Sequence, residues 1–408
     1  WNNLKILHAW GAPGGGEKDG IYYQFCKKQD EDIYRDFRSA ASKYTYDRAF
    51  DGACSEALLK KTTSVPTYDL ILIDEAQDFS PAFFQICFDM LKENKRLVYA
   101  YDELQSLSGN SLPSPEKLFG ENKLNQSNVQ FDPIRFPSQD IVLETCYRNP
   151  RPILATAHSL GFGIYRDIDS RTGTGLVQIF DNDDLWEEVG YHFKDTNLAD
   201  GQIEGQNVSL TRTNESSPLF LEEHSPIDDL IQFKSFDNRE SQDDWLVDEI
   251  IKNIKEDELL HQDIIVINPD PLKTKDFVGY ARAKLYKKGI NNHLAGVTTS
   301  PDDFFEQDSV AFTGIYRAKG NEAAMVYIIN SQDCYSSEGS LQTVRNRLFT
   351  AITRSKAWVR VLGFGEHMDK LKEEFDLVKD HNFALDFKYP TNEQKKKILG
   401  NSSNKKKA

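Results

Sequence analysis

Apolar residues along this chain fall into short continuous runs and longer stretches in which they recur three or four positions apart. YDLILIDEAQDFSP (68–81) reads as a buried strand entering an acidic turn, and AFFQICFDMLKEN after it as a helix. KRLVYAYDELQSL (95–107) reads as a second buried strand with a polar end. A loop rich in Pro, Ser, Asn and Gln over 108–140 leads to DIVLETCYRNPRPILATAHSLGFGIY, a further strand and helix. Residues 161–228 are rich in Gly, Asp and Asn and weakly periodic, which predicts a domain junction. The pattern then resumes. SQDDWLVDEIIKNIKE and FVGYARAKLYKKGI read as helices, DIIVINPD as a strand, and SVAFTGIYRAKGNEAAMVYIIN as two strands around a polar turn. LQTVRNRLFTAITRSKAWVRVLGF reads as a helix and a final strand. Strands alternating with helices predict an α/β fold with parallel sheets. The expected domains are 1–160 and 229–390, followed by a Lys-rich, disordered tail over 391–408.

With 408 residues the chain is long enough for more than one core, and its 28% charged and 12% aromatic content is that of a globular protein. No apolar run approaches the ~18 residues needed to span a membrane, and no signal peptide is visible. The five cysteines are scattered without a C-x-x-C pair, which disfavours zinc and disulfides and fits a reduced, cytoplasmic setting. A net charge of -15 argues against a surface coated in nucleic acid but leaves room for a narrow basic channel.

The glycine-rich stretch HAWGAPGGGEKDG (8–20) invites comparison with a phosphate-binding loop, G-x-x-x-x-G-K-[ST]. Gly11 and Gly16 have the spacing, but Glu17 stands in the lysine position and Asp19 follows Lys18. Two carboxylates beside the lysine oppose a triphosphate, so a surface turn is expected and Lys18 is expected to be exposed.

Ligands of open parallel sheets bind beyond the carboxyl ends of the strands. Asp74 and Glu75 follow LILI, a pair suited to holding Mg²⁺ and orienting an attacking water. Asp102 and Gln105 follow RLVYAY, where an amide can sense a terminal phosphate. Arg148 in CYRNP and Arg354 in AITRSK are able to grip phosphate, although an arginine in such a turn is ordinarily a surface ion-pair former. FTGIYRAKGNE adds Thr313, Arg317, Lys319, Gly320 and Glu322, in a turn that taken alone is an ordinary charged one.

In chain order, LILIDEAQD, YDELQ, LETCYRNP, TGIYRAKGNE and LFTAITRSK resemble motifs II to VI of UvrD/Rep-like superfamily 1A helicases, over residues 68–365. The resemblance implies two RecA-like domains with ATP in a cleft between them and a single strand of DNA, with RNA also open, across the top. It makes Asp74 the Mg²⁺ ligand, Glu75 the residue activating water and Gln105 the γ-phosphate sensor. Arg148 and Arg354 become γ-phosphate contacts from the second domain. Gly320 and Glu322 face the ribose, and Thr313, Arg317 and Lys319 face the nucleic acid. Two positions depart from the family: Tyr316 replaces a histidine, and QSLSGNSLP lacks the usual base-stacking aromatic. The resemblance also places the phosphate loop (Walker A) upstream of Trp1 and LKILHAW in a strand and loop touching nucleic acid. The implied activity is an ATP-dependent helicase or translocase, with this chain alone inactive. A rival reading is a non-catalytic, helicase-like subunit of a nuclease or defence complex.

Overall fold

A computed structural model describes residues 3–29, 31–107, 112–122, 124–130, 132, 138–194, 203–300 and 303–403. Ser108–Ser111 of QSLSGNSLP lie outside them. The chain divides into two compact units, Trp1–Ser106 with Asn110–Ile141, and Leu107–Gly109 with Val142–Ala408.

In the first unit, β1 (Tyr68–Ile73) and β2 (Leu91–Tyr99) pair in parallel. They are joined by the helix Pro81–Met90, whose first turn carries Pro81, a position where its missing N–H costs nothing. The sequence pattern extends that helix to Asn94, but it stops at Met90 and the chain turns directly into β2. Ile71 and Ile73 face a core built with Phe83, Phe84, Tyr22 and Phe25, whereas Leu70, Leu72 and Val98 on the opposite face stay exposed. No strand forms over 4–7.

The second unit holds a six-stranded, wholly parallel sheet in the order β5–β10–β9–β6–β8–β7. The strands are β5 (Ile231–Phe236), β6 (Ile264–Asn268), β7 (Asn292–Leu294), β8 (Val310–Gly314), β9 (Ala323–Ile328) and β10 (Ser355–Phe364). β6 is buried at every position, as a parallel strand covered on both faces must be. β3 (Tyr191–Phe193), β4 (Asn207–Arg212) and β11 (Leu385–Lys388) form a separate antiparallel sheet.

Three sequence expectations change here. LETC forms no strand, and Leu143 is 83% exposed. The helix Arg151–Phe162, buried from Pro152 to Phe162, belongs to the second unit, so the division falls at 141/142 and not at 160. The expected junction contributes β3, β4 and the fully buried Trp186, and the expected disordered tail carries a helix over Asn392–Ser403 with Ile398 buried.

Candidate functional site

The acidic turn after β1 is built around a backbone kink. Glu75 has φ 52°, a left-handed conformation that a residue with a Cβ adopts at a cost of about 1–2 kcal/mol. Its neighbours hold it there. The Ala76 N–H donates to the Ala100 carbonyl at 2.9 Å, tying the turn to the end of β2. Gln77, 2% exposed, donates through Nε2 to Glu75 Oε2 at 2.7 Å and accepts the Asp102 N–H on Oε1 at 3.1 Å. Asp102 then accepts Gln105 Nε2 at 2.8 Å. Glu75, Gln77, Asp102 and Gln105 therefore form one chain of hydrogen bonds across the carboxyl ends of both strands. Asp74 is exposed and accepts the Glu75 N–H on Oδ1 at 2.9 Å.

Of these four, the sequence pointed to Glu75, Asp102 and Gln105, and Gln77 was given no role. The signal was available: a glutamine two residues after a carboxylate, buried where a surface turn would leave it free. Among the described residues no group of three or more His, Cys, Asp or Glu is arranged to hold a metal ion. One exposed carboxylate is nonetheless the donor set that a phosphate-bound Mg²⁺ takes from a protein, because the ion keeps most of its waters.

In the second unit the expected residues split between the two edges of the sheet. Glu322 immediately precedes β9 and Arg354 immediately precedes β10, at the amino ends of neighbouring strands. Arg148 Nε pairs with Glu322 Oε2 at 2.6 Å, and Lys356 with Glu322 Oε1 at 3.0 Å. Partial burial works against the Glu322 charge, but Lys356 and Arg148 outweigh it and hold the carboxyl below its ordinary value. Arg148 Nη1 also donates to the Thr353 carbonyl at 3.4 Å. The buried Asn149 Nδ2 donates to the Ser355 carbonyl at 2.7 Å, which pins the Arg148 segment to the start of β10. Arg354 is 3% exposed and donates through Nε to Thr350 O at 3.1 Å. Glu322, expected to face a ribose, thus faces two cations.

Thr313, Tyr316 and Arg317 lie at the opposite, carboxyl edge, at the end of β8 and just after it. Thr313, expected to face the nucleic acid, is fully buried with its hydroxyl on the Gly314 carbonyl at 3.2 Å. β8 is covered on both faces, and a side chain inside the strand is buried whichever way it points. Tyr316 is 56% exposed. The Arg317 guanidinium lies over Gly296, where any Cβ would collide with it. Lys319 is half-buried, while Gly320 is exposed with φ 84°, in open space.

The glycine-rich turn offers no phosphate cradle. The Ile21, Tyr22 and Tyr23 N–H groups at the start of the helix Ile21–Gln29 donate to the His8, Ala9 and Trp10 carbonyls at 2.9, 3.0 and 3.0 Å. The donors that would bind a phosphate at a helix N-terminus are therefore spent. Asp19 accepts the Gly20 N–H at 3.0 Å, and Lys18 is exposed.

The family model for the UvrD-like helicase C-terminal domain matches residues 309–362, the stretch from β8 to β10 that carries Thr313, Glu322 and Arg354. Through this segment the chain is a relative of UvrD-like helicases. Among solved structures it is similar to the C-terminal domain of a possible DNA helicase from Lactobacillus plantarum WCFS1, at 16% identity and a TM-score of 0.28. That match covers 38% of this chain and 86% of the other. It is also similar to Arterivirus nonstructural protein 10, a helicase solved with DNA, at 12% identity and a TM-score of 0.21. There the match covers 33% of this chain and 28% of the viral one. No curated protein matches the chain. No helix among the described residues is long and apolar enough to cross a membrane.

Proposed function

We propose that the chain is part of an ATP-dependent superfamily 1 helicase or translocase acting on single-stranded DNA. The observation that carries this reading is the hydrogen-bond chain from Glu75 through Gln77 and Asp102 to Gln105. It links a carboxylate able to orient water to an amide able to sense a phosphate, across two parallel strand ends where nucleotides bind. Mg²⁺ carried by ATP would be held by Asp74 and would neutralise phosphate charge. Glu75 orients the attacking water. Arg148 and Arg354 supply positive charge to the phosphoryl group in transit, Arg148 after exchanging Glu322 for phosphate. Glu322, Gly320 and Lys319 lie in the β8–β9 connection beside that charge, and the exposed Tyr316 and its neighbour Arg317 suit a nucleic-acid strand.

One observation favours a second reading, a non-catalytic helicase-like subunit of a nuclease or other complex: after the only glycine-rich turn resembling a phosphate loop among the described residues, the first N–H groups of the helix Ile21–Gln29 are taken by the His8, Ala9 and Trp10 carbonyls. A single measurement separates the two. ATP hydrolysis by the full-length gene product, with and without single-stranded DNA and RNA, is expected to rise at least about tenfold with DNA. No hydrolysis under any condition would overturn the motor and favour the subunit. Stimulation by RNA alone would reassign the substrate.

A further inference from the structure

A polar cavity of about 300 Å³ opens where β6, β9 and β10 end, lined by none of the motif residues discussed above. One wall is the loop after β6, with Asp270 and Lys273 paired at 3.2 Å. The other wall brings Arg347 from the helix Leu341–Ile352 and His367 from the first turn of the helix Glu366–Asp380. Asp333 and Ser336 follow β9, and Ser336 Oγ lies 3.4 Å from a ring nitrogen of His367.

Two groups here are left unanswered. Arg347 makes no ion pair among the described residues, and its Nε is buried without an acceptor. Asp333 Oδ2 is likewise buried without a donor. A cation and an acceptor held partly away from water both cost free energy until a ligand completes them. The helix Glu366–Asp380 carries Glu366 and Asp369 in its first turn, which answer its positive end, so the charge an anion meets here is that of Arg347, with His367 beside it. The ligand that fits must carry an anion for Arg347 and His367 and hydrogen-bond donors for Asp333 and Asp270. It must also be small, because the volume is at the lower end of the roughly 300–1,000 Å³ typical of small-molecule sites.

We propose that this cavity binds a nucleoside monophosphate unit, its phosphate on Arg347 and His367, and its hydroxyl or amino groups on Asp333 and Asp270. Such a unit exists free and as the phosphorylated end of a DNA strand, and the chemistry recognised is the same. The site shares no residue with the ATP-dependent reading and does not depend on it.

The test is titration of the full-length protein with dAMP, and with an oligothymidylate bearing either a 5′-phosphate or a 5′-hydroxyl. Saturable binding of dAMP is expected, weakened about tenfold in Arg347→Gln and about threefold in His367→Gln, and unchanged in Arg48→Gln, an exposed arginine outside the cavity. His367 is exposed, so its variant keeps the test meaningful if Arg347→Gln folds poorly. A preference for the 5′-phosphorylated strand that disappears in both variants would identify the strand end as the source. Equal affinity for both strands with dAMP binding intact would identify the free nucleotide. Absence of binding by dAMP and by the phosphorylated end up to about 10 mM would overturn the proposal. Equal weakening in Arg48→Gln, or none in either cavity variant, would also overturn it.

Discussion

Glu75 occupies a left-handed conformation that a glutamate adopts only when neighbours over-determine it, and Gln77 is the neighbour that does so. If Glu75 orients the attacking water, Glu75→Gln in the full-length protein should keep ATP affinity and lose about 10²–10⁴-fold in kcat. A variant with near-normal turnover would remove Glu75 from the chemistry. Gln77→Ala should lower kcat with little change in KM, because it frees the carboxylate without touching nucleotide. Tyr316 belongs to the same scale. Its exposed ring at the carboxyl edge is suited to stacking a base, a contact worth ~1–3 kcal/mol. Tyr316→Ala should weaken single-strand binding by about tenfold, while Tyr316→Phe should leave it unchanged. Equal affinity in all three proteins would show that no base stacks there. Asp74, Glu75 and Gln105 were legible because they follow apolar runs at fixed offsets. The burial of Thr313 and the pairing of Glu322 with Arg148 were not, since both depend on layers packed from elsewhere in the chain.

Elements were legible where the hydrophobic pattern was strong, as in β1, β6, β8, β9 and β10. The pattern misled at IVLETC, whose apolar run suggests a strand yet finds no partner strand among the described residues, with Ile141, Val142 and Leu143 left exposed. It was silent over 161–228, where β3 and β4 are short and the second partner of β4, β11, lies far along the chain. Composition hid the helix Asn392–Ser403, which a lysine-rich count assigns to disorder although Ile398 is buried. Tertiary partners decided each case. Asn149 shows how one contact sets an element's allegiance: its buried amide holds the start of the helix Arg151–Phe162 to the beginning of β10. Asn149→Ala should leave the Ser355 carbonyl unanswered and cost about 1–3 kcal/mol, read as a lower urea midpoint with unchanged slope. No shift would show that another donor replaces the amide. The glycine-rich turn makes the opposite case, a motif whose spacing is right but whose following helix has its first N–H groups already paired. Lys18→Ala should therefore leave ATP affinity unchanged, and a tenfold loss would restore the turn as a phosphate site.

At the scale of the whole molecule, two buried groups of the second unit set opposing pH dependences on stability. Asp243 is 1% exposed, and burial raises its carboxyl to about 6, against the weaker pull of Arg239 and Lys284. Gln242 donates to its Oδ1 at 3.0 Å, while Oδ2 has no hydrogen-bond partner among the described residues. Its folded pKa lies above its unfolded one, so the native state binds the proton more tightly. Stability from this residue is present below about pH 4 and is lost as pH rises through about 6, by on the order of 3 kcal/mol. His158, buried among Phe162, Tyr191 and Phe349, is lowered by burial to about 3. Its contribution runs the other way: full above about pH 6.5, and lost as the pH falls toward 3. Between pH 4 and 6 the two slopes oppose each other, which flattens the dependence of the native chain. Asp243→Asn keeps the shape and the Gln242 neighbour but removes one slope. The variant should match the native protein near pH 4, exceed it in urea midpoint at pH 7.5, and expose the rise in stability with pH that His158 supplies. An equal gain at both pH values would mean that the carboxylate carries no proton-linked cost in the folded chain, and that Oδ2 is answered by a donor in solution.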